Sequence, residues 1–215
     1  MIATVVCALA CAVLVFAEWR GLAQLRIGSK LVASASFVVL GAIALGRCET
    51  AFAQWIFAGL VLGAIGDVAL LGHGKRAFLA GLVAFLLGHL AYVVGIAQLE
   101  PPGRWLGDAG LTAVLPIAIG IVVLVVLWQR LGSLRVPVIV YVGAIVAMVI
   151  GAMAAARGGT VPWPRCIYLG GGATLFFASD LAVARDRFVG RSFANKAWGL
   201  PTYFAGQLLI AWSIC

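Results

Sequence analysis

The sequence is short of charge. Only 10% of its 215 residues are Asp, Glu, Lys or Arg, and 64% are hydrophobic; a soluble domain carries about 25% charged residues. Mean hydropathy is +1.14. That balance excludes a water-soluble globule and leaves a chain that is mostly bilayer-spanning helix. Histidine is scarcer still, with two residues, too few for a three-histidine zinc site within one chain. The five cysteines (Cys7, Cys11, Cys48, Cys166, Cys215) show no C-x-x-C spacing, and most read as small apolar residues within spans. No hydrophilic stretch is long enough to fold separately, so a single integral membrane domain over 1–215 is expected. The net charge of +8 comes without a basic stripe interleaved with aromatics, so no nucleic acid partner is expected. The first residues, MIATVVCALACAVLVFAEWRG, have no basic leader and no clear cleavage site. They read as a first span rather than a signal peptide.

What is present is a series of apolar runs. They predict an all-α, polytopic membrane protein, an eight-helix transmembrane bundle with spans at about 1–18, 31–46, 51–71, 77–98, 109–129, 136–156, 166–184 and 198–214. Several are short; 17 residues rise roughly 25 Å, slightly under a ~30 Å hydrocarbon core. The connections alternate in charge. The odd ones carry Arg20, Arg26, Lys30, Lys75, Arg76, Arg130, Arg135, Arg185, Arg187, Arg191 and Lys196; the even ones carry only Arg47, Arg104, Arg157 and Arg165. The positive-inside rule then places the odd connections in the cytoplasm and both termini outside. An Ala-, Gly- and Arg-rich composition points to the inner membrane of a bacterial cell.

Against this background Asp67 and Asp180 stand out. Each sits near the end of an apolar run, where a carboxylate at mid-bilayer costs roughly 2.5–3.5 kcal/mol. The topology puts both in the cytoplasmic half. His89 and Tyr92, three residues apart on the fourth span, and Tyr203 and Gln207, four apart on the eighth, return from the same side. Lys30 opens the second span there, where free backbone N–H groups would suit a phosphate. The alternatives are bland ones: carboxylates snorkelling to the interface, Asp180 paired with Arg185 or Arg187, a buried neutral histidine, and interhelical hydrogen bonds. His73, Glu100, Asp108 and Asp186 read as ordinary loop residues. Most of the 27 glycines read as packing positions, with Gly66 leaving room beside Asp67. IGDVALLG and ASDLAVAR, followed 22 and 23 residues after their aspartates by His89 and Tyr203, hint at two parallel four-helix repeats.

These residues form an ordered pattern. Gly66-Asp67 ends one span. Phe78, Gly81, Phe85, His89 and Tyr92 follow in the next as F-x-x-G-x-x-x-F-x-x-x-H-x-x-Y. Ser179-Asp180 lies near the end of the penultimate span, and Tyr203 and Gln207 make Y-x-x-x-Q in the last. The pattern resembles the lysoplasmalogenase (YhhN-like) family of integral membrane hydrolases, over most of the chain. Lys30 matches a lysine that family members often follow with proline; here Leu31 follows.

The resemblance implies hydrolysis of the vinyl ether bond of a lysoplasmalogen to a fatty aldehyde and a glycerophospho-base. Its partners are then a lysophospholipid substrate and membrane lipids, with no metal or other cofactor required. Such a bond is cleaved by protonating its β-carbon; water adds to the resulting oxocarbenium ion and the hemiacetal collapses. Asp67 and Asp180 would serve as acid and anion, without a fixed order. His89, Tyr92, Tyr203 and Gln207 would orient them or bind the glycerol, and Lys30 would meet the phosphate. Two alternatives remain: an intramembrane hydrolase of another lysolipid, and a proton-coupled transporter using the aspartates and histidine as a relay. The transporter fits less well, because the polar groups cluster on one side and spans 109–126 and 137–156 carry no charge.

Overall fold

The computed structural model describes residues 1–215 and is helical throughout, without strands. α1 (Ile2–Arg20) and α2 (Ala23–Leu45) form a hairpin turned by Gly21, whose φ of 68° is open to glycine but costly for other residues. α3 (Ala51–Ala69) starts at Thr50, whose hydroxyl accepts the Ala53 amide at 3.1 Å. α4 (Gly74–Ala97) returns against α3. A connection of 3₁₀ turns and the short α5 (Trp105–Ala109) leads to α6 (Val114–Leu127) and α7 (Arg135–Arg157). α8 (Arg165–Phe188) and α9 (Phe193–Trp212) close the chain as a further tight hairpin.

Seven stretches are long and apolar enough to cross a membrane, rather than the eight expected: 2–20, 23–45, 51–69, 74–97, 102–130, 132–157 and 165–188. α9 has the length, at 20 residues, but carries Asn195, Lys196, Pro201, Thr202 and Gln207 and is not among the seven. It is packed against α8, α1, α2 and α3, which bury Asn195 and Gln207. Helix boundaries also differ from the apolar runs. α2 begins at Ala23, eight residues before the run at 31, because Gln24, Arg26 and Ser29 are accommodated in helix. The Lys30 amide therefore lies inside a helix, and the expected free N–H groups beside it are absent.

Small residues set the helix spacing. A Cβ on Gly172 would lie 3.0 Å from the Gly206 carbonyl oxygen, and one on Gly206 3.0 Å from the Gly172 carbonyl, so α8 and α9 touch backbone to backbone. α3 instead offers glycines to side chains of its neighbours. Gly59 receives the Tyr92 ring, Gly63 receives Gln207 and Gly66 receives Phe85. Gly66 therefore makes room for an aromatic ring rather than for Asp67, and Gly63 is the glycine that admits the polar network.

The two ends of the bundle differ. At one end Cys48, between α2 and α3, is disulfide-bonded to Cys215 with Cα atoms 5.9 Å apart. Beside it the Arg165 guanidinium donates to the Ser213 and Ile214 carbonyls, each at 3.0 Å. Most of the cysteines were expected to be apolar fillers, and Cys7 and Cys11 are buried in α1 as such; Cys48 and Cys215 instead form a clamp. The other end is open, and there the cavity described next begins.

Candidate active site

Asp67 is carried by the last turn of α3 into the centre of the bundle, where its side chain is only 4% exposed. Three donors from two other helices converge on it. Lys30 Nζ of α2 lies 3.1 Å from Oδ1. Ser34 Oγ, one turn further along α2, donates to Oδ2 at 2.7 Å, and the Tyr203 hydroxyl of α9 donates to the same oxygen at 2.8 Å. Tyr203 in turn accepts from Gln207 Nε2 at 3.3 Å, and Gln207 Oε1 accepts from the Tyr92 hydroxyl of α4 at 2.7 Å. Lys30, Asp67, Tyr203, Gln207 and Tyr92 thus form one continuous chain across four helices. Every buried member but the outermost has its partners, the condition under which a polar network in a low-dielectric interior is tolerated.

Asp180 is held differently. It has no Lys or Arg within ion-pair distance; His89 of α4 places Nε2 3.6 Å from Oδ2, too far for a hydrogen bond. The expected alternatives Arg185 and Arg187 do not pair with it; Arg187 instead stacks over Phe78 at 4.1 Å. The His89 ring is fully buried between Phe176, at 4.6 Å between centroids, and Tyr141, at 5.1 Å. The Tyr141 phenol, from α7, faces the Asp180 carboxyl. Neither His89 nitrogen nor Asp180 Oδ2 has a hydrogen-bond partner. Ser179 turns back to the Phe176 carbonyl of its own helix at 2.7 Å and takes no part.

Both carboxyls line one cavity of about 760 Å³, within the ~300–1,000 Å³ of small-molecule sites. Lys30, Tyr141 and Tyr203 line it too, whereas His89, Tyr92 and Gln207 lie behind its wall and act on it only through Asp180 and Tyr203. Its mouth carries Arg26, Lys75, Arg191 and Lys196. Lys196 is 3.7 Å from Asp186, which also accepts from the Ser192 amide and Asn195 side chain and so builds the α8–α9 turn. Arg26, Lys75 and Arg191 have no carboxylate partner. Deeper, the wall turns apolar, with Phe85, Val123, Val142, Ile145 and Phe177. No cluster of three His, Cys, Asp or Glu that could hold a metal is present.

Sequence reasoning missed Ser34 and Tyr141. Ser34 sits in the run ASAS, indistinguishable from small packing residues, and Tyr141 lies on a span without charge. Glu100, read as a loop residue, is 1% exposed, with Arg104 3.4 Å away.

Known proteins resemble the chain over most of its length. The sequence profile of the YhhN family matches residues 25–214. A protein of Mycobacterium bovis named lysoplasmalogenase is 32% identical, over 91% of this chain and 81% of its own length. Lysoplasmalogenase TMEM86A of Bos taurus is 34% identical over 74% of this chain and 64% of its own. An Escherichia coli protein named uncharacterized membrane protein YhhN is 29% identical over 76% of each. No solved structure matches the chain.

Proposed function

The chain belongs to the YhhN family, and from that premise we propose that it is a lysoplasmalogenase-type ether hydrolase. It acts as a single multi-pass membrane domain, with α9 as an eighth span. The positive connections and the cavity mouth lie in the cytoplasm, and both termini lie outside. The substrate is an alkenyl lysophospholipid, and the products are a fatty aldehyde and a glycerophospho-base.

One observation carries this reading: a single cavity reaches two carboxyls with unlike surroundings, beneath a cationic mouth and above an apolar wall. Asp67, gripped by Lys30, Ser34 and Tyr203, is equipped as the anion. Asp180 pairs with no Lys or Arg and has no donor on Oδ2, so it is assigned the transferable proton. Asp180 gives that proton to the vinyl β-carbon. Asp67 faces the oxocarbenium ion across the cavity and orients the water that adds to it; the proton that water loses returns to Asp180 and resets it, and the hemiacetal collapses to aldehyde and the freed glycerol hydroxyl. Arg26, Lys75 and Arg191, free of carboxylates, meet the phosphate, while Lys30 is occupied in fixing Asp67. His89 and Tyr141 position Asp180; Gln207 and Tyr92 position Tyr203.

A proton-coupled transporter would need access from both faces. The disulfide and the Arg165 bonds at the far end of the bundle weigh against that.

The test is aldehyde release by purified protein in detergent, given alkenyl lysophosphocholine. Asp67→Asn and Asp180→Asn should each lower the rate by about 10²-fold or more. Retention of full activity by both variants, folded as judged by their elution and melting, would remove the two-carboxyl mechanism. Release of fatty acid from acyl lysophosphocholine, with no aldehyde from its alkenyl analogue, would favour hydrolysis of another lysolipid.

A further inference from the structure

The buried apolar residues do not form one continuous core. A large cluster runs through α1–α5 and α7–α9 and includes Ile145 and Phe177, with Phe85 and, from the outer part of α6, Ile119 packed on it. A separate small one consists of Leu127, Leu131 and Val138, with Val123, Val142 and Phe188 packed on it. The small cluster belongs to the tip of the α6–α7 hairpin and the end of α8. The cavity is lined from both: Phe85, Ile145 and Phe177 on one side, Val123, Leu127 and Val142 on the other. It therefore lies in the seam where the two cores fail to meet.

The geometry of this seam suits a chain rather than a compact ligand. Its lining runs from Leu127 to Gly120 on α6 and from Val138 to Ile145 on α7. Seven residues of helix rise about 10 Å; Tyr141, which faces Asp180, lies midway along this strip, so the apolar lining passes the carboxyl and continues one turn further toward mid-bilayer, to Ile145 and Gly120. α6 itself packs chiefly on α7 and exposes Ile121, Val122, Val125 and Val126. One side-chain hydrogen bond ties the hairpin tip to α8, from Arg130 Nη1 to the Phe188 carbonyl at 3.2 Å. A lightly held helix beside an apolar slot is a side through which a lipid tail can pass without leaving hydrocarbon.

We infer that the seam between the α6–α7 tip and the main core is the site of the substrate's single hydrocarbon chain, with Val123 and Val142 setting how far it enters. The inference rests on the ether-hydrolase reading for the identity of the substrate. The chain arrives from bilayer hydrocarbon, so filling the slot gains little transfer energy, and occupancy is decided by fit. A bulky side chain at either valine then excludes long chains more than short ones.

The test uses the full chain in detergent with two readouts. A single-chain phosphocholine lipid carrying a diazirine near its chain end should label peptides of α6 and α7 around Val123 and Val142. Val142→Trp and Val123→Trp should remove most of that label. They should also lower the ratio of long-chain to short-chain aldehyde release roughly tenfold. Labelling spread over the lipid-facing surface, or unchanged labelling and chain ratio in well-folded Trp variants, would overturn the inference. The wild-type labelling pattern decides the matter even if both variants misfold. If the wild type labels in the seam but releases no aldehyde from any alkenyl lipid, the slot stands and the ether-hydrolase reading falls.

Discussion

Removing the Lys30 ammonium is the sharpest test of how Asp67 is held. In Lys30→Met, Oδ1 loses its partner at 3.1 Å, while Oδ2 keeps Ser34 and Tyr203. The carboxylate stays in place, because its side chain is 4% exposed and those two bonds pin it. Breaking a buried pair from one side costs about 3–5 kcal/mol, since the surviving charge stays buried. Lys30 is 13% exposed and borders the cavity, so the low end applies, about 3 kcal/mol. Asp67→Asn should cost less, about 1–2 kcal/mol, because the freed ammonium can reach cavity water. In the double variant no unpaired charge remains, so its cost should fall short of the sum of the single costs by about 2 kcal/mol.

The assay is thermal unfolding in one detergent, followed by tryptophan fluorescence. For a chain of this size about 3 kcal/mol corresponds to a fall in Tm of roughly 6–12 °C. The double variant should melt above Lys30→Met, yet aldehyde release should stay as low as in Asp67→Asn. Stability is restored by removing the charge, whereas chemistry is not. Additive losses, with coupling under about 0.5 kcal/mol, would refute the ion pair as the element that fixes Asp67.

Three further outcomes follow from the same packing. Gly63→Ala places a methyl group against Gln207 Nε2 and 3.4 Å from the Tyr203 hydroxyl, so it should cost about 1–3 kcal/mol and lower aldehyde release; Gly28→Ala, with open space around it, should do neither, and equal effects would discount the network. Tyr203→Phe removes a donor to Asp67 and the acceptor of Gln207, so Tm should fall by the equivalent of about 1.5–3 kcal/mol, whereas an unchanged Tm would show that water replaces the hydroxyl. Cys48 and Cys215 should react with an impermeant maleimide on intact cells only after reduction; labelling only in broken cells would reverse the orientation.

The spans were legible because apolar periodicity and length suffice to find helices, and the polar positions were legible because charge in hydrocarbon is rare. Lys30, Asp67, Tyr203 and Gln207 do fall in one hydrogen-bonded chain, with Tyr92 at its end. Ser34 was not legible, since a serine among alanines has the same signature whether it packs a helix or bonds a carboxylate. Only the register of α2 against α3 brings it to 2.7 Å from Asp67. Tyr141 is hidden for the same reason, and the Cys48–Cys215 bond joins residues 167 apart with no spacing motif to announce it. Glu100 was misread because polarity beside a proline-rich connection suggests exposure, whereas the α7 end folds over it.

The difference between the two aspartates is a tertiary property. In sequence they are near twins, Gly-Asp and Ser-Asp, each near the end of an apolar run and each followed by a returning span. In the fold neither is completed by its own hairpin. Asp67 of α3 draws its donors from α2 and α9, while Asp180 of α8 faces α4 and α7. The hairpins exchange partners, so the ring or hydroxyl that follows one aspartate by 22 or 23 residues serves the other. What breaks the equivalence is the third helix. α2 brings an ammonium and a hydroxyl to Asp67, and α7 brings only a phenol to Asp180. Two carboxyls with the same local sequence thereby acquire unlike surroundings, one held by a cation and two hydroxyls, the other with an unbonded oxygen beside a buried imidazole.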